Sequence, residues 1–542
     1  MTVIVQPGTD SNGNPQPMVY DQDTGKVIVD SNGFIVSGGQ KLVNIPSKAD
    51  YVSTPKTQTS GIQEASNFVK AIGKGKILLK RGLYQTTNIG TGSNLILYDN
   101  TVLEGEDKNS TVIEFLNAPN SQNINLDGSN ITIKNLTINS NNTATLLACQ
   151  STSYITVENN ILLNSNGFFL YFGQTGNTTN NYITVKDNIL IGGQYSTNDF
   201  IGGAGEHAII TNNTLLHDAQ YGGGEGITFG GGAYGLVSVL IEGNIFDDTE
   251  GYGFHNNCVH CETDGNNAGS VIVANNLMNI GNGGYAINSA SNSTGNYLHD
   301  IIVIGNMIFG SNASNSTLSG VPSGIQIANA KKLVITSNLL IDLNNGGIQL
   351  TDVEETTVEN NTLKDTNNNN SSSSELGGNG LNIYASSTPI TSQQNITIKG
   401  NIFYDVANTY QAGVAIMSAY KNVLIEGNHG FNFIYLIVRI PSIDFANNIL
   451  IRNNSPFTAA PTTTPAVPAS ATAQQNTNLY AVDVYIYGGT VTEIQITKDG
   501  TAYTVFSNST GLALSGQSYK LNPGDSITIT YTAAPSWEWL SD

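Results

Sequence analysis

An asparagine in the pattern apolar-x-apolar-x-x-Asn-x-apolar returns every 20 to 40 residues through most of this chain, and that recurrence constrains the fold more than any other feature. It is plain in Ile155-Thr-Val-Glu-Asn-Asn160-Ile, Val239-Leu-Ile-Glu-Gly-Asn244-Ile, Ile301-Ile-Val-Ile-Gly-Asn306-Met and Ile396-Thr-Ile-Lys-Gly-Asn401-Ile. The equivalent residues are Asn160, Asn188, Asn213, Asn244, Asn276, Asn306, Asn338, Asn361, Asn401, Asn428 and Asn448. Between copies lies a second unit, Gly-apolar-x-apolar, as in Gly226-Ile-Thr-Phe229, Gly253-Phe-His-Asn256, Gly324-Ile-Gln-Ile327 and Gly347-Ile-Gln-Leu350. Each repeat therefore holds at least two short strands with period-two alternation. No repeat can bury its apolar face alone, but a stack of them makes one continuous core.

The fold expected is all-β, a right-handed parallel β-helix. Asparagine tolerates a left-handed backbone, so it suits the sharp turn after a strand. Stacked in register, its amide also reaches the asparagine of the next coil at the ~4.8 Å strand spacing.

Upstream, 61–72 reads as an amphipathic helix, followed by Lys76-Ile-Leu-Leu-Lys-Arg-Gly-Leu-Tyr84 and Thr101-Val-Leu-Glu-Gly105. A helix, a strand ending in Arg-Gly-x-Tyr, then Leu-Glu-Gly resembles the opening segment of pectate-lyase-like β-helices, the group that includes phage tailspikes, polygalacturonases and alginate epimerases. The resemblance implies that the helix caps the open end of the cylinder. It also implies that residues 1–50, with hairpin signals at Asp23-Thr-Gly25 and Ser31-Asn-Gly33, dock the protein to a virion tail or anchor protein.

The β-helix is expected over 51–455. Residues 456–478, rich in Thr, Pro and Ala, read as an extended linker, and 479–542 as a small C-terminal β-sandwich with a turn at Lys498-Asp-Gly500. The segments Val482-Asp-Val-Tyr-Ile-Tyr-Gly-Gly489 and Pro523-Gly-Asp-Ser-Ile-Thr-Ile-Thr530 resemble terminal domains of surface and virion proteins of hyperthermophilic archaea and their spindle-shaped viruses.

Composition narrows the partners. Asp plus Glu outnumber Lys plus Arg by 41 to 21, and there is no basic stripe, which argues against nucleic acid and against an anionic membrane. No run approaches the ~18 apolar residues of a membrane span, and the first residues lack the pattern of an export signal. Only 11% of residues are charged, so uncharged hydrogen-bonding groups do the polar work, and the low charge would suit an acidic habitat. A protein that looks extracellular yet carries no export signal fits the surface of a virion. Three cysteines, Cys149, Cys258 and Cys261, are too few for a disulfide framework. Asn-x-Ser/Thr triplets such as Asn130, Asn292, Asn315 and Asn508 are in part by-products of the repeat.

Three sets of residues are candidates for function. Thr228, Gln326, Gln349 and Asn382 are the outward residues of the second unit, with His255 nearby, and such aligned amides and hydroxyls suit a polyhydroxylated glycan. Ordinary solvated surface is the bland alternative. Asp218, Glu225, Asp248 and Glu250 belong to the densest carboxylate and imidazole cluster, His217 to Asp264, where two carboxylates across a groove could cleave a glycosidic bond. His255, Cys258, His260 and Cys261 could ligate a metal, Cys258 and Cys261 could form a local disulfide, or the two could stand as unlinked thiols; the spacing matches no common finger, and neither a cofactor nor a metal is expected. A further polar position four residues after the repeated asparagine, Asn164, Asp342 and Asp365 among others, reads as a turn residue.

Lastly, the middle residue of the main strand, outward-facing, is Thr132, Thr156 and Thr184 and then Ile209, Leu240, Ile272, Ile302 and Val334. Five successive aliphatic side chains on an outward face need a cover, either a neighbouring copy in a homotrimer or a loop of the same chain. The sequence thus points to a virion tail spike or fibre that binds host surface polysaccharide or glycoprotein glycan. The alternatives are a polysaccharide lyase, glycoside hydrolase or epimerase of the same fold, and a cellular surface-layer or adhesin protein.

Overall fold

The computed structural model describes residues 3–9, 15–21, 27–29, 42–45, 59–87, 93–116, 122–150, 152–173, 181–192, 199–203, 207–216, 225–229, 238–247, 257–263, 269–281, 284–291, 297–310, 323–343, 346–366, 379–384, 394–404, 412–416, 420–431, 437–438, 449–454, 464–478, 481–498, 500–522 and 524–541. The chain divides into two compact units, 1–349 and 350–542. Both carry coils of a right-handed parallel β-helix, and the second also carries a small antiparallel sheet. Among the described residues no helix is long and apolar enough to cross a membrane.

In the first unit each full coil has three strands. The main strands stack in parallel register through Ile131, Ile155, Ile183, Ala208, Val239, Val271, Ile301 and Leu333, all buried. A third strand of only three or so residues follows each repeated asparagine, and its middle residue faces the core: Ile138, Leu162, Leu190, Leu215, Phe246, Met278, Ile308 and Leu340. In the second unit the same parallel register runs through Thr356, Ile396, Val423 and Ile449.

The repeated asparagines are buried and bonded to one another. From Asn160 through Asn188, Asn213, Asn244, Asn276 and Asn306 to Asn338, each donates Nδ2 to the Oδ1 of the next at 2.9–3.0 Å. The backbone N–H of each donates to that same oxygen. A second column in unit 350–542 runs Asn361, Asn401, Asn428. It ends on Asn454, whose Oδ1 accepts from Asn428 at 2.9 Å. Asn448 lies outside the described residues, and Asn454 holds the place expected for it, because strand Ile449–Arg452 supplies the apolar-x-apolar run immediately before Asn454.

One expectation changes. The left-handed turn is not made by the ladder asparagine but by the residue before it: Asn159, Asp187, Asn212, Asn275, Asn360 and Asn453 have φ of 52–58°, and Gly243 has φ 66°. The division of labour has a steric reason. An inward amide that must serve two neighbouring coils needs a regular backbone, so the preceding residue absorbs the bend. At Gly243 a Cβ would meet the Asn212 Oδ1 at 2.6 Å, so a larger residue there would require that side chain to move.

The helix Ile62–Ile72 buries Ile62, Ala65, Ser66, Phe68 and Val69, and left-handed Gly61 and Gly73 bound it. It lies against strand Ser93–Tyr98. The backbone N–H of Ile96 donates to Gln63 Oε1 at 2.7 Å, and its carbonyl accepts from Ser66 Oγ at 2.6 Å. The helix thus satisfies a strand edge with side chains. Before it, strands Val3–Thr9, Pro15–Asp21 and Val27–Val29 form an antiparallel sheet, and Asp23-Thr-Gly25 lies outside the described residues. Ser31-Asn-Gly33 lies outside the described residues. Leu42–Ile45 already pairs in parallel with Gly75–Leu79.

In the C-terminal sheet, Val482–Lys498 and Thr501–Leu521 form one long bulged hairpin with Lys498 opposite Thr501. The first half of Val482–Lys498 pairs with Ser536–Ser541 and the second half with Ser526–Ala533. Val482, Val484 and Ile486 from one half share a buried cluster with Ile494, Ile496, Ile527, Ile529, Trp537 and Trp539, as in two layers of a sandwich. Residues from Thr464 on, read from composition as linker, are held to this sheet: Trp537 Nε1 donates to the Pro465 carbonyl at 2.7 Å and Tyr531 Oη to that of Pro468 at 2.8 Å. Ala473–Gln475 pairs with 526–528 as a short strand.

Candidate functional site

Stacking in register turns one position of each coil into a column of side chains. Through the second strand of the first unit the column reads Tyr171, Gly202, Thr228, His260, Asn288, Gln326. Apart from the glycine, all are half-buried and alternate with core residues such as Ile227, Phe229, Val259 and Cys261. Three residues earlier, the same coils place Phe168, Asp199, Glu225, Asn257, Tyr285 and Ser323. The two columns converge on Glu225.

Glu225 is 9% exposed and fully engaged. It accepts from Thr228 Oγ1 at 2.5 Å, from Asn257 Nδ2 at 2.5 Å, and from His260 Nδ1 at 2.9 Å to each oxygen. Burial, the largest influence, works against its charge. The hydrogen bond and charge of His260, with the hydrogen bonds of Thr228 and Asn257, prevail and hold the carboxyl below the ordinary glutamate value. Asp199, one coil away, accepts the backbone N–H of Glu225 at 3.1 Å. Burial and then the charge of Glu225 push it up to about 6. Two neighbouring carboxylates are thereby set apart, one kept ionised and the other readily protonated.

Gly202 lets this pair form. A Cβ there would lie 2.6 Å from the Phe168 ring and 3.0 Å from Asp199 Oδ2. With no side chain in the way, Phe168 covers the gap and packs on Tyr171 with centroids 4.7 Å apart. The result is a partly exposed aromatic pair, then carboxylates and an imidazole, then the amides of Asn288 and Gln326.

Of the residues singled out from sequence, the structure brings Glu225, Thr228 and Gln326 to this one sheet face. Asp218, Asp248, Glu250 and His255 lie outside the described residues. In that coil the described strand is Asn257–Thr263, and it places His260 in the outward column. Gln349 and Asn382 are 5% and 0% exposed and cannot offer their amides to solvent as expected. Asn382 instead accepts from Asn379 Nδ2 at 2.7 Å. Cys149, Cys258 and Cys261 are buried and form no disulfide, and burial pushes the Cys149 and Cys261 thiols up to about 12, so those two are neutral core groups at ordinary pH. Asn164, Asp342 and Asp365 take φ of 49–56° as turn residues.

Sequence reasoning missed Asp199, Asn257, Phe168 and Tyr171. Aligning Asp199-Phe-Ile201 with Glu225-Gly-Ile227 and Asn257-Cys-Val259 would have found the first two.

A different column carries Ile209, Leu240, Ile272, Ile302 and Val334, in register below Thr132, Thr156 and Thr184. Ile209 is 47% exposed and the other four aliphatic residues are half-buried.

No protein-family model matches the chain, and a comparison with curated proteins finds no match. Among solved structures, a double mutant of the tailspike protein of E. coli bacteriophage HK620, in complex with a pentasaccharide, is similar over 88% of this chain and 88% of its own, with TM-score 0.53 and 11% identity. The A-module of the Azotobacter vinelandii mannuronan C-5 epimerase AlgE6 is similar over 74% of this chain and 95% of its own, with TM-score 0.44 and 12% identity. The catalytic unit of a GH87 alpha-1,3-glucanase from Streptomyces thermodiastaticus covers 84% and 85%, with TM-score 0.44 and 14% identity. At this identity the likeness to the tailspike is one of fold.

Proposed function

We propose that this protein is a glycan-binding spike or fibre on a virus particle, and that the two columns meeting at Glu225 form its sugar-facing surface. The observation that carries the reading is the in-register line of Tyr171, Thr228, His260, Asn288 and Gln326. Ring faces for stacking and neutral donors and acceptors at fixed spacing are what a polysaccharide requires, and a rigid stack presents them without ordering cost. The fold shared with a tailspike solved with a pentasaccharide supports a glycan as ligand. In this reading the protein sits on the virion surface of an archaeal, spindle-shaped virus. Residues 1–50 attach it to the particle, and three copies meet through Ile209, Leu240, Ile272, Ile302 and Val334.

One observation favours a second reading, that the site also cleaves the glycan. Asp199 at about 6 beside an ionised Glu225 sets a protonatable acid next to a fixed negative charge, as an acid and a charge-stabilising carboxylate are paired in glycosidic cleavage. If Asp199 donates the proton, turnover falls as pH rises through about 6, because the acid form is lost.

Both readings are tested by mixing purified protein with host envelope polysaccharide. Co-sedimentation is expected, and Tyr171→Ala or Gln326→Ala should weaken it about tenfold, roughly the loss of one or two good contacts. No binding by the unaltered protein ends the first reading. New reducing ends that disappear in Asp199→Asn support cleavage; tight binding with intact chains eliminates it.

A further inference from the structure

We infer that the strand Thr501–Leu521 is a docking edge whose occupant is the same strand of a second copy of this chain, paired antiparallel about a two-fold axis. Within its sheet this strand pairs only with Val482–Lys498, and no other described strand pairs with its outer side. Over 21 residues it has one charged side chain, Lys520, and no proline. Soluble proteins commonly protect such an edge with charge, proline, short length or a covering element. The other edges of this sheet follow that practice: Ala473–Gln475 is three residues long, and Ser536–Ser541 carries Glu538.

The strand also exposes apolar surface. Tyr503, Val505 and Leu512 are 54%, 43% and 47% exposed. Tyr503 stands opposite Ile496, itself buried in the sheet's core, so the core-facing side of the sheet continues to the edge without a cover. Val505 is the bulged residue between Thr504 and Phe506, which pair with Gln495 and Ile494.

Charge selects the occupant. The chain has net charge −20, so two copies repel over most of their surface. Residues 501–519 carry no carboxylate, and the nearby Glu493 is occupied by Gln495 Nε2 at 2.9 Å and Thr504 Oγ1 at 3.1 Å. A strongly charged partner finds nothing to pair with here. A second copy finds an identical row of backbone donors and acceptors, and an antiparallel pairing of one strand with itself is the self-complementary arrangement a two-fold interface needs.

The test uses the full chain with single cysteines in turn at Tyr503, Val505, Ser507, Ser509 and Leu512, under mild oxidation. The native cysteines are buried and give little background. About a two-fold axis only the residue on the axis faces itself, so disulfide-linked dimer is expected to peak at one position and fall at least fivefold within four residues on either side. Adding Val505→Lys to the peak variant, or Tyr503→Lys where the peak is position 505 itself, should remove the cross-link. Emission from Trp537 and Trp539, the only tryptophans, reports whether the sheet stays folded. Equal cross-linking at all five positions, none at any, or a peak that survives the added lysine overturns the inference. In the first and third cases the copies meet elsewhere, and in the second the edge serves a different chain.

Discussion

Strand Ser93–Tyr98 pairs on one side with Gln122–Asp127 and is met by the helix Ile62–Ile72, whereas strand Thr501–Leu521 pairs on one side and is met by no described strand on the other. Both present backbone groups that another chain could take. At the first, Gln63 and Ser66 bond the N–H and carbonyl of Ile96, so a side chain stands where a neighbouring strand would otherwise lie. At the second, no described strand takes the outer backbone groups, and Lys520 is the strand's one charged side chain. Between the extremes lie the coils themselves, where each edge is covered by the next coil and the asparagine column ties the two together. The contrast suggests that an edge is closed where the fold must end and left open where something is to be added.

The largest expected effect comes from breaking the column inside the stack. Asn244 donates Nδ2 to the carbonyls of Ile210 and Glu242 and to Asn276 Oδ1, and its own Oδ1 accepts the backbone and side-chain N–H of Asn213. Asn244→Leu keeps the volume but strands several of these groups in a dry interior. A loss on the order of 3–5 kcal/mol is expected, read as a lower denaturant midpoint by circular dichroism. A change under 1 kcal/mol would mean that coil stacking does not depend on the amides.

That column also explains how much could be read from sequence. A residue whose amide must serve two neighbours recurs at every coil, so Asn160 to Asn338 announce the parallel stack. The third strand was harder to see because three residues, such as Ile245–Asp247, leave little periodicity. At the site, Glu225, Thr228 and Gln326 followed from the repeat. Asp199 did not, since its coil reads Ile201-Gly-Gly203 where its neighbours alternate, and the glycine that hides the pattern is what admits Phe168 and Asp199. Gly253-Phe-His-Asn256 fits the unit's pattern and so draws attention to His255, whereas the strand Asn257–Thr263, with Cys258, Val259 and Cys261 as core, breaks that pattern and hides His260. Burial of Gln349 and Asn382 has no local signal, because each alternates with core residues in its strand just as the half-buried Thr228 and Gln326 do.

A middle-sized effect is expected at the covered edge. Gln63→Ala with Ser66→Ala removes the partners of the Ile96 N–H and carbonyl without touching Phe68 or Val69. Roughly 2 kcal/mol should be lost, and amide exchange at Ile96 should accelerate with the loss of protection. Unchanged exchange would show that another group satisfies that strand, and the comparison with the open edge would then lose its first term.

The smallest effect belongs to the open edge. Val505 is bulged, 43% exposed and outside the pairing register, so Val505→Lys disturbs neither the hairpin nor the core. Folding stability measured on dilute protein, where copies are separate, should move by no more than about 0.5 kcal/mol. At high concentration the same substitution should instead abolish the concentration-dependent rise in unfolding temperature that a dimer formed through this edge would give the unaltered chain. A large loss in dilute solution would show that Val505 supports the sheet from within, and the strand would then be an ordinary edge rather than an open one.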